Sequence, residues 1–449
     1  MRLIGNKIIV IAGIMVTLGV SACKKWVDDA PQPLAVDESS IFSTENGFRE
    51  ALNGVYIHMG DESLYGKELT IGILSLAGRN YDSVSMAKSG TLYYNAATLN
   101  LTHPSVKSHS AQIWNKMYSA VGNLNNLIEN LEKGKSVLSE RRYQDFKGEA
   151  LAIRAYLHFD LLRMFSTNQL QDNGIPYVLT VDFNATASKT VGETLDRCIT
   201  DLVEAEGLLD GQTLETSWFN KWAVKGLLAR IYLYKGDLLN ANKYALEVIN
   251  SEQIVLSSGT PADLLFTKES LFKLYIYANN YYNSYRELFG APRLLGLSVA
   301  SQNALYVPTT DYRRNFIDVT TGNILGVPIL PRKLTVTASN IFPMLKLPEM
   351  YYIAAECAPE VNEGLSYINL VRASRNLPAL TAANVPDMNA LSAEIRNEYR
   401  KEFIAEGQMF FYYKRKHTPF NSLPFYSPTP IVGSVPVADN ATYVFVRPE

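Results

Sequence analysis

The sequence predicts a mainly α-helical protein: a scaffold of antiparallel helix pairs carrying one large irregular, loop-rich subdomain. Three observations predict it. Several long segments place apolar residues every three or four positions, the spacing that lines one face of a helix. One pair of such segments is joined through a glycine and carries alanines at matching positions. Strand-like runs are short and few, the clearest being 176–181, 271–277 and 441–446.

The chain opens with Arg2 and Lys7, followed by an uncharged apolar run from Ile8 to Val20. A basic start, a short apolar centre and small residues before a boundary have the form of a secretory signal peptide, expected over residues 1–22. The run falls short of the roughly 20 residues that a membrane-spanning helix needs, so it is not expected to be a permanent anchor of its own. It ends at Val20-Ser21-Ala22-Cys23, with Lys24 and Lys25 directly after. That boundary looks like a bacterial lipobox, in which the cysteine thiol is acylated and becomes the new N-terminus. Cys23 is therefore the expected lipidation site. The polar, proline-marked residues 23–40 read as a tether between lipid and domain, and 41–449 as the folded domain, with the loop-rich insert at about 252–346.

Within that body, Ile113, Met117, Val121, Leu124, Ile128 and Leu131 form an apolar stripe over 109–132, with asparagines opposite. Phe146, Ala150, Ile153, Leu157, Leu161 and Met164 form another over 143–165. Helical spacing returns in 191–210, 219–235, 238–250, 348–376 and 390–415. Ala229, Tyr232, Gly236, Ala241 and Ala245 fit the small–large–glycine–small pattern of a tetratricopeptide repeat. The alanines let two antiparallel helices approach, Gly236 permits the turn, and Tyr232 fills the groove. A weaker second copy runs through Ala354, Ala355 and Tyr367.

The insert is rich in Tyr, Pro, Gly, Asn and Ser, with little sustained period. It reads as long loops laid over the helices, where function is usually carried. Tyr275, Tyr277, Tyr281, Tyr282 and Tyr285 crowd there beside Asn279, Asn280, Asn283 and Arg286. Flat rings for sugar C–H faces, with amides and a guanidinium for hydroxyls, are the mix a carbohydrate surface needs. The competing reading is a helix or hairpin that uses its tyrosines as core and rim. A second candidate stretch is 78–95, with Arg79, Asn80, Tyr81, Asp82, Tyr93 and Tyr94. The expected ligand-binding residues are Arg79, Asn80, Tyr81, Asp82, Tyr281, Tyr282, Tyr285 and Arg286.

Composition narrows the function. A net charge of −2 gives no long-range pull toward nucleic acid. A hydrophobic share of 47% supports a large core rather than disorder. Cys198 and Cys357 sit in helix-like sequence and read as free thiols, although pairing stays open. His58, His103, His109, His158 and His417 form no metal-binding spacing, and His158 reads as a packed helix residue. There is no Gly-x-Ser-x-Gly elbow and no phosphate-cradling glycine loop. No catalytic residue, metal or cofactor is expected.

Several segments together resemble the SusD/RagB family of surface nutrient-binding lipoproteins. "FKGEALAIRAYLHFDLLRMF" (146–165) looks like its hallmark helix, with Glu149, Ala150, Arg154, Ala155, Tyr156, Phe159 and Leu162 in place. "IRNEYRKEFIAEGQMFFYYKR" (395–415) looks like a second hallmark, through Arg396, Glu398, Arg400, Glu402, Phe403, Glu406, Gly407, Phe410, Phe411 and Arg415. Residues 41–59 and 113–131 match its early helices. The chain departs from the family pattern at Tyr412 and Lys416, and in its ending "SVPVADNATYVFVRPE". Buried hallmark charges such as Glu149, Arg154, Glu402, Glu406 and Arg415 read as structural ion pairs, because an unpaired buried charge is costly. The resemblance implies a lipid-anchored, outer-membrane, cell-surface protein that captures an oligosaccharide and passes it to a SusC-like TonB-dependent transporter. A peptide ligand, as for RagB-like relatives, and a glycan-active enzyme are the alternatives.

Overall fold

The computed structural model describes residues 38–181, 186–290, 295–317, 332–334, 340–428 and 434–448. The expected signal peptide, Cys23 and all but the last three residues of the tether lie outside them. Among the described residues no helix is long and apolar enough to cross a membrane.

Helix α1 (Glu45–Met59) begins at Thr44, whose side chain accepts a hydrogen bond from the Gly47 amide. Three short helices follow: α2 (Ile73–Ala77), α3 (Ser83–Ala87) and α4 (Thr91–Ala97). The long pair α5 (Pro104–Lys133) and α6 (Glu140–Phe165) forms the centre of the molecule. Pro104 starts α5 where a missing N–H costs nothing. Both apolar stripes are buried as expected except for half-buried Ile128, and Asn125 is buried with them. Its amide donates to Val178 O at 3.0 Å and its oxygen accepts from Arg154 at 3.0 Å.

Helices α7 (Val191–Leu208), α8 (Lys221–Lys235) and α9 (Leu238–Asn250) continue the stack, α7 packing on α6. The α8–α9 pair has the repeat geometry expected. Gly236 sits at φ +86°, a left-handed conformation glycine adopts without strain, and Tyr232 stacks on Tyr244 with centroids 5.7 Å apart. The weaker copy is α12 (Leu347–Cys357) with α13 (Val361–Ser374). The segment 348–376 is thus two helices, as a repeat copy requires. The break falls at Ala358-Pro359, because a residue before proline avoids the helical region. The segment 390–415 also divides, into α14 (Met388–Glu402) and α15 (Gln408–Arg415). Here Ala405 at φ +60° and Gly407 at φ +73° turn the chain. A Cβ on Gly407 would lie 2.3 Å from the Leu69 carbonyl oxygen.

Among the described residues there are two antiparallel two-stranded ribbons: β1 (Asn173–Pro176) with β2 (Ser188–Thr190), and β3 (Ser270–Tyr275) with β4 (Ile341–Lys346). Only the run 271–277 proves to hold a strand along most of its length. Residues 177–181 and 441–446 are irregular: Tyr177 is used as a packed ring, and Phe445 donates its amide to Met164 O at 3.0 Å. The insert is more ordered than its composition suggested, since it also holds α10 (Ala278–Phe289) and α11 (Val299–Leu305). Cys198 and Cys357 are both free thiols.

Candidate ligand-binding site

Helix α10 sorts the tyrosines of 275–285 by face. Tyr281, Ser284, Tyr285, Leu288 and Phe289 follow helical spacing and face inward. Tyr281 packs 6.1 Å from Phe342 and donates its hydroxyl to Leu334 O, while Tyr285 lies 4.9 Å from Phe289. On the outer face, Tyr282 is 59% exposed and the Arg286 guanidinium lies 5.5 Å from its ring. Tyr275 and Tyr277, at the end of β3 and the start of α10, are 58% and 67% exposed. Of the expected platform, Tyr282 and Arg286 remain open to a ligand, whereas Tyr281 and Tyr285 belong largely to packing.

The stretch 79–82 is corrected more sharply: all four residues are buried and act as a latch. Tyr81 donates its hydroxyl to Ile71 O at 2.6 Å and packs its ring 5.9 Å from Phe289. Asp82 caps α3 by accepting from Ser85 N at 3.0 Å, and its second oxygen accepts from Ser298 N at 2.6 Å. Asn80 accepts from Ala405 N at 3.0 Å, holding the turn between α14 and α15. Arg79 donates to Pro424 O and Val435 O, each at 3.3 Å. Tyr81 and Tyr285 therefore do come together, but by packing on the same Phe289 ring rather than under a ligand.

Sequence reasoning missed the largest cleft among the principal cavities, about 520 Å³, lined by Arg49, Arg142, Asp145, Gln212, Trp218 and Tyr275 among others. Arg49 builds its floor. Its guanidinium donates to both Glu149 oxygens, at 2.9 and 2.7 Å, and lies 4.1 Å from the Trp218 ring and 4.6 Å from that of Phe146. Trp218 is held half-buried by this stack, and the exposed ring of Tyr275 stands on the same cleft. The side-chain oxygen of Gln212 is buried without a hydrogen-bond partner. Aromatic faces beside an unmet acceptor, two arginines and the two carboxylates of Asp145 and Glu215 are the parts that hold a polyhydroxylated ring. Two signals in the sequence pointed here: Tyr275, one of the crowded tyrosines of the insert, and the tryptophan at 218 among the chain's 4. The cleft joins residues far apart in the chain, which no spacing rule reveals.

The five hallmark charges expected to be structural are paired, though not with one another as a set. Glu149 pairs with Arg49, Arg154 with Asp201, Glu402 with Arg375, Arg313 and Lys346, Glu406 with Lys333 and Lys346, and Arg415 with Glu356. Arg415 and Lys416 together hold the Glu356 carboxyl down to about 2, against its burial. His158 is fully buried: its Nδ1 is 2.9 Å from Arg154 O and its Nε2 accepts from Val178 N at 3.1 Å. Among the described residues no group of three or more His, Cys, Asp or Glu side chains is placed to hold a metal ion.

Stacked helix pairs, a hairpin-and-helix insert and an aromatic-edged cleft define a tetratricopeptide-like scaffold of the SusD type. Over 83% of its length the chain superposes on a SusD superfamily protein from Bacteroides thetaiotaomicron, covering 89% of that chain with a TM-score of 0.67 at 22% identity. It matches a SusD-like carbohydrate binding protein from Bacteroides vulgatus with a TM-score of 0.68 at 17% identity, covering 83% and 84% of the two chains. Residues 35–233 match a SusD-like family model described as starch-binding, associating with outer membrane, and residues 333–429 match the SusD family model. The SusD-like protein P2 of Formosa agariphila is 27% identical over 213 residues, 47% of this chain and 41% of that protein. The matched segment thus spans less than half of that curated relative. The chain belongs to the SusD/RagB family.

Proposed function

We propose that the protein captures an oligosaccharide at the cell surface and delivers it to a SusC-like TonB-dependent transporter, held in the outer membrane by lipid on Cys23. The observation that carries this reading is the aromatic-edged cleft of Trp218 and Tyr275, with Tyr277 and Tyr282 exposed in the residues that follow and Arg286 beside the Tyr282 ring. Exposed tyrosines cost solvation unless a partner covers them, and their rings suit the C–H faces of sugars. The family description, starch-binding and associating with outer membrane, supports both ligand class and location. Binding rather than turnover is proposed, because the two carboxylates that line the cleft are each held as acceptors, Asp145 by Arg141 at 2.7 Å and Glu215 by the Ser217 amide at 2.8 Å, rather than left free as an acid–base pair.

Isothermal calorimetry of the mature chain with neutral oligosaccharides tests the ligand. Pull-down from native outer membranes in mild detergent tests the partner. Heat from sugars and recovery of a large β-barrel are expected. Heat from peptides alone would favour peptide capture, and recovery of the lipoprotein without the barrel would overturn the delivery step.

A further inference from the structure

Among the described residues, Arg79 is the buried arginine that has no carboxylate partner. It is 2% exposed, yet its Nε and Nη2 atoms have no hydrogen-bond partner, and only Nη1 is engaged, by two carbonyls at 3.3 Å. The side chains that act on this guanidinium are the phenols of Tyr413, Tyr443 and Tyr94, none of them a carboxylate. The buried hydroxyl of Tyr413 is likewise without a partner, and Arg79, Arg396 and Arg400 all act on it. Among the described residues no carboxylate pairs with any of these three arginines. A buried cation left uncompensated costs several kcal/mol, and every other arginine buried to this degree has a carboxylate.

Next to Arg79 lies a pocket of about 20 Å³, walled also by Asn80, Ser301, Arg400 and Phe425. A water-sized species needs roughly 10–15 Å³ by the same measure, so the pocket takes one small group and excludes a sugar ring. Ser301, Arg400 and Phe425 are only half-buried, so solvent reaches the pocket on that side.

We propose that this pocket binds one small monovalent anion of the size of chloride, held by Arg79, Arg400 and the Ser301 hydroxyl. The ion supplies the missing counter-charge where the 78–82 turn, the α14–α15 turn and the segments at 424 and 435 meet. The site is separate from the aromatic cleft and does not rest on the glycan reading.

The test uses the mature chain and bromide as a chloride substitute. Crystals soaked in bromide should show an anomalous peak within hydrogen-bonding distance of Arg79, and the peak should be missing in Arg79→Gln. In solution, wild type should melt higher in chloride than in gluconate at equal ionic strength, by roughly 2 °C or more. Arg400→Gln and Ser301→Ala, at half-buried positions, should reduce that chloride-specific increment while the fold is kept, which covers the case in which Arg79→Gln does not fold. A pocket holding only water in bromide crystals, or equal melting in both salts, would overturn the proposal.

Discussion

Arg375 meets Glu402 through two hydrogen bonds, Nε to Oε2 at 3.1 Å and Nη2 to Oε1 at 3.0 Å, with both residues completely buried. The same guanidinium grips Glu269 at 2.9 and 2.7 Å. One arginine at the end of α13 thus clamps the turn before β3 to the last turn of α14. Glu402→Gln would strand Arg375, Arg313 and Lys346 with too little counter-charge. We expect a loss on the order of 3–5 kcal/mol in urea unfolding, and a loss below about 1 kcal/mol would mean that the network relaxes without it.

His158 titrates where stability can be read. Burial lowers its pKa from 6.5 to about 4, as its neutral ring stacks 3.9 Å from Tyr177. As pH falls, the unfolded chain takes the proton near 6.5 and the folded one only near 4, so stability falls across that window. The full term is on the order of 3 kcal/mol. Imidazole NMR should show a midpoint near 4, and His158→Gln should flatten the decline. A midpoint above 6 would refute the assignment.

Gly407 turns the chain between the two halves of the second hallmark at a positive φ, against the Leu69 carbonyl. Gly407→Ala adds strain and a backbone clash together. The expected cost is about 2 kcal/mol or more, read as a lower melting temperature. A neutral result would show that the turn can move.

The tyrosines of α10 should split by face. Tyr282→Ala and Trp218→Ala should weaken oligosaccharide binding by about 1–3 kcal/mol, the range for ring stacking on aromatic platforms, with Tyr282→Ala leaving the melting temperature unchanged. Tyr285→Ala should lower stability and leave affinity intact. Binding itself should be weak, micromolar to millimolar, or about −4 to −8 kcal/mol. Affinity lost at Tyr285 and kept at Tyr282 would reverse the assignment of faces.

Mass spectrometry of the mature N-terminus should find acyl chains on Cys23, and Cys23→Ser should appear in the soluble fraction. More than one chain is expected, because a single chain binds membranes only marginally. An unmodified Cys23 in membrane-bound protein would count against lipid anchoring.

The sequence by itself determined the helical class, the α8–α9 repeat and the structural role of the hallmark charges. These rest on local rules: apolar spacing for α5 and α6, a glycine able to take φ +86° at Gly236, and the cost of burying Glu402 or Arg415 alone. Their partners were not legible, because Glu149 and its partner Arg49 stand 100 positions apart and no spacing rule joins them. The helix α10 was hidden for a different reason. Its inward face is written in Tyr281 and Tyr285, residues that serve core and surface equally well, and only packing against Phe342 and Phe289 decides between the two uses. Tertiary structure likewise decided that Arg79 to Asp82 form a buried latch and that Trp218 and Tyr275 share a cleft. Burial is a property of what surrounds a residue, and here those surroundings come from distant segments.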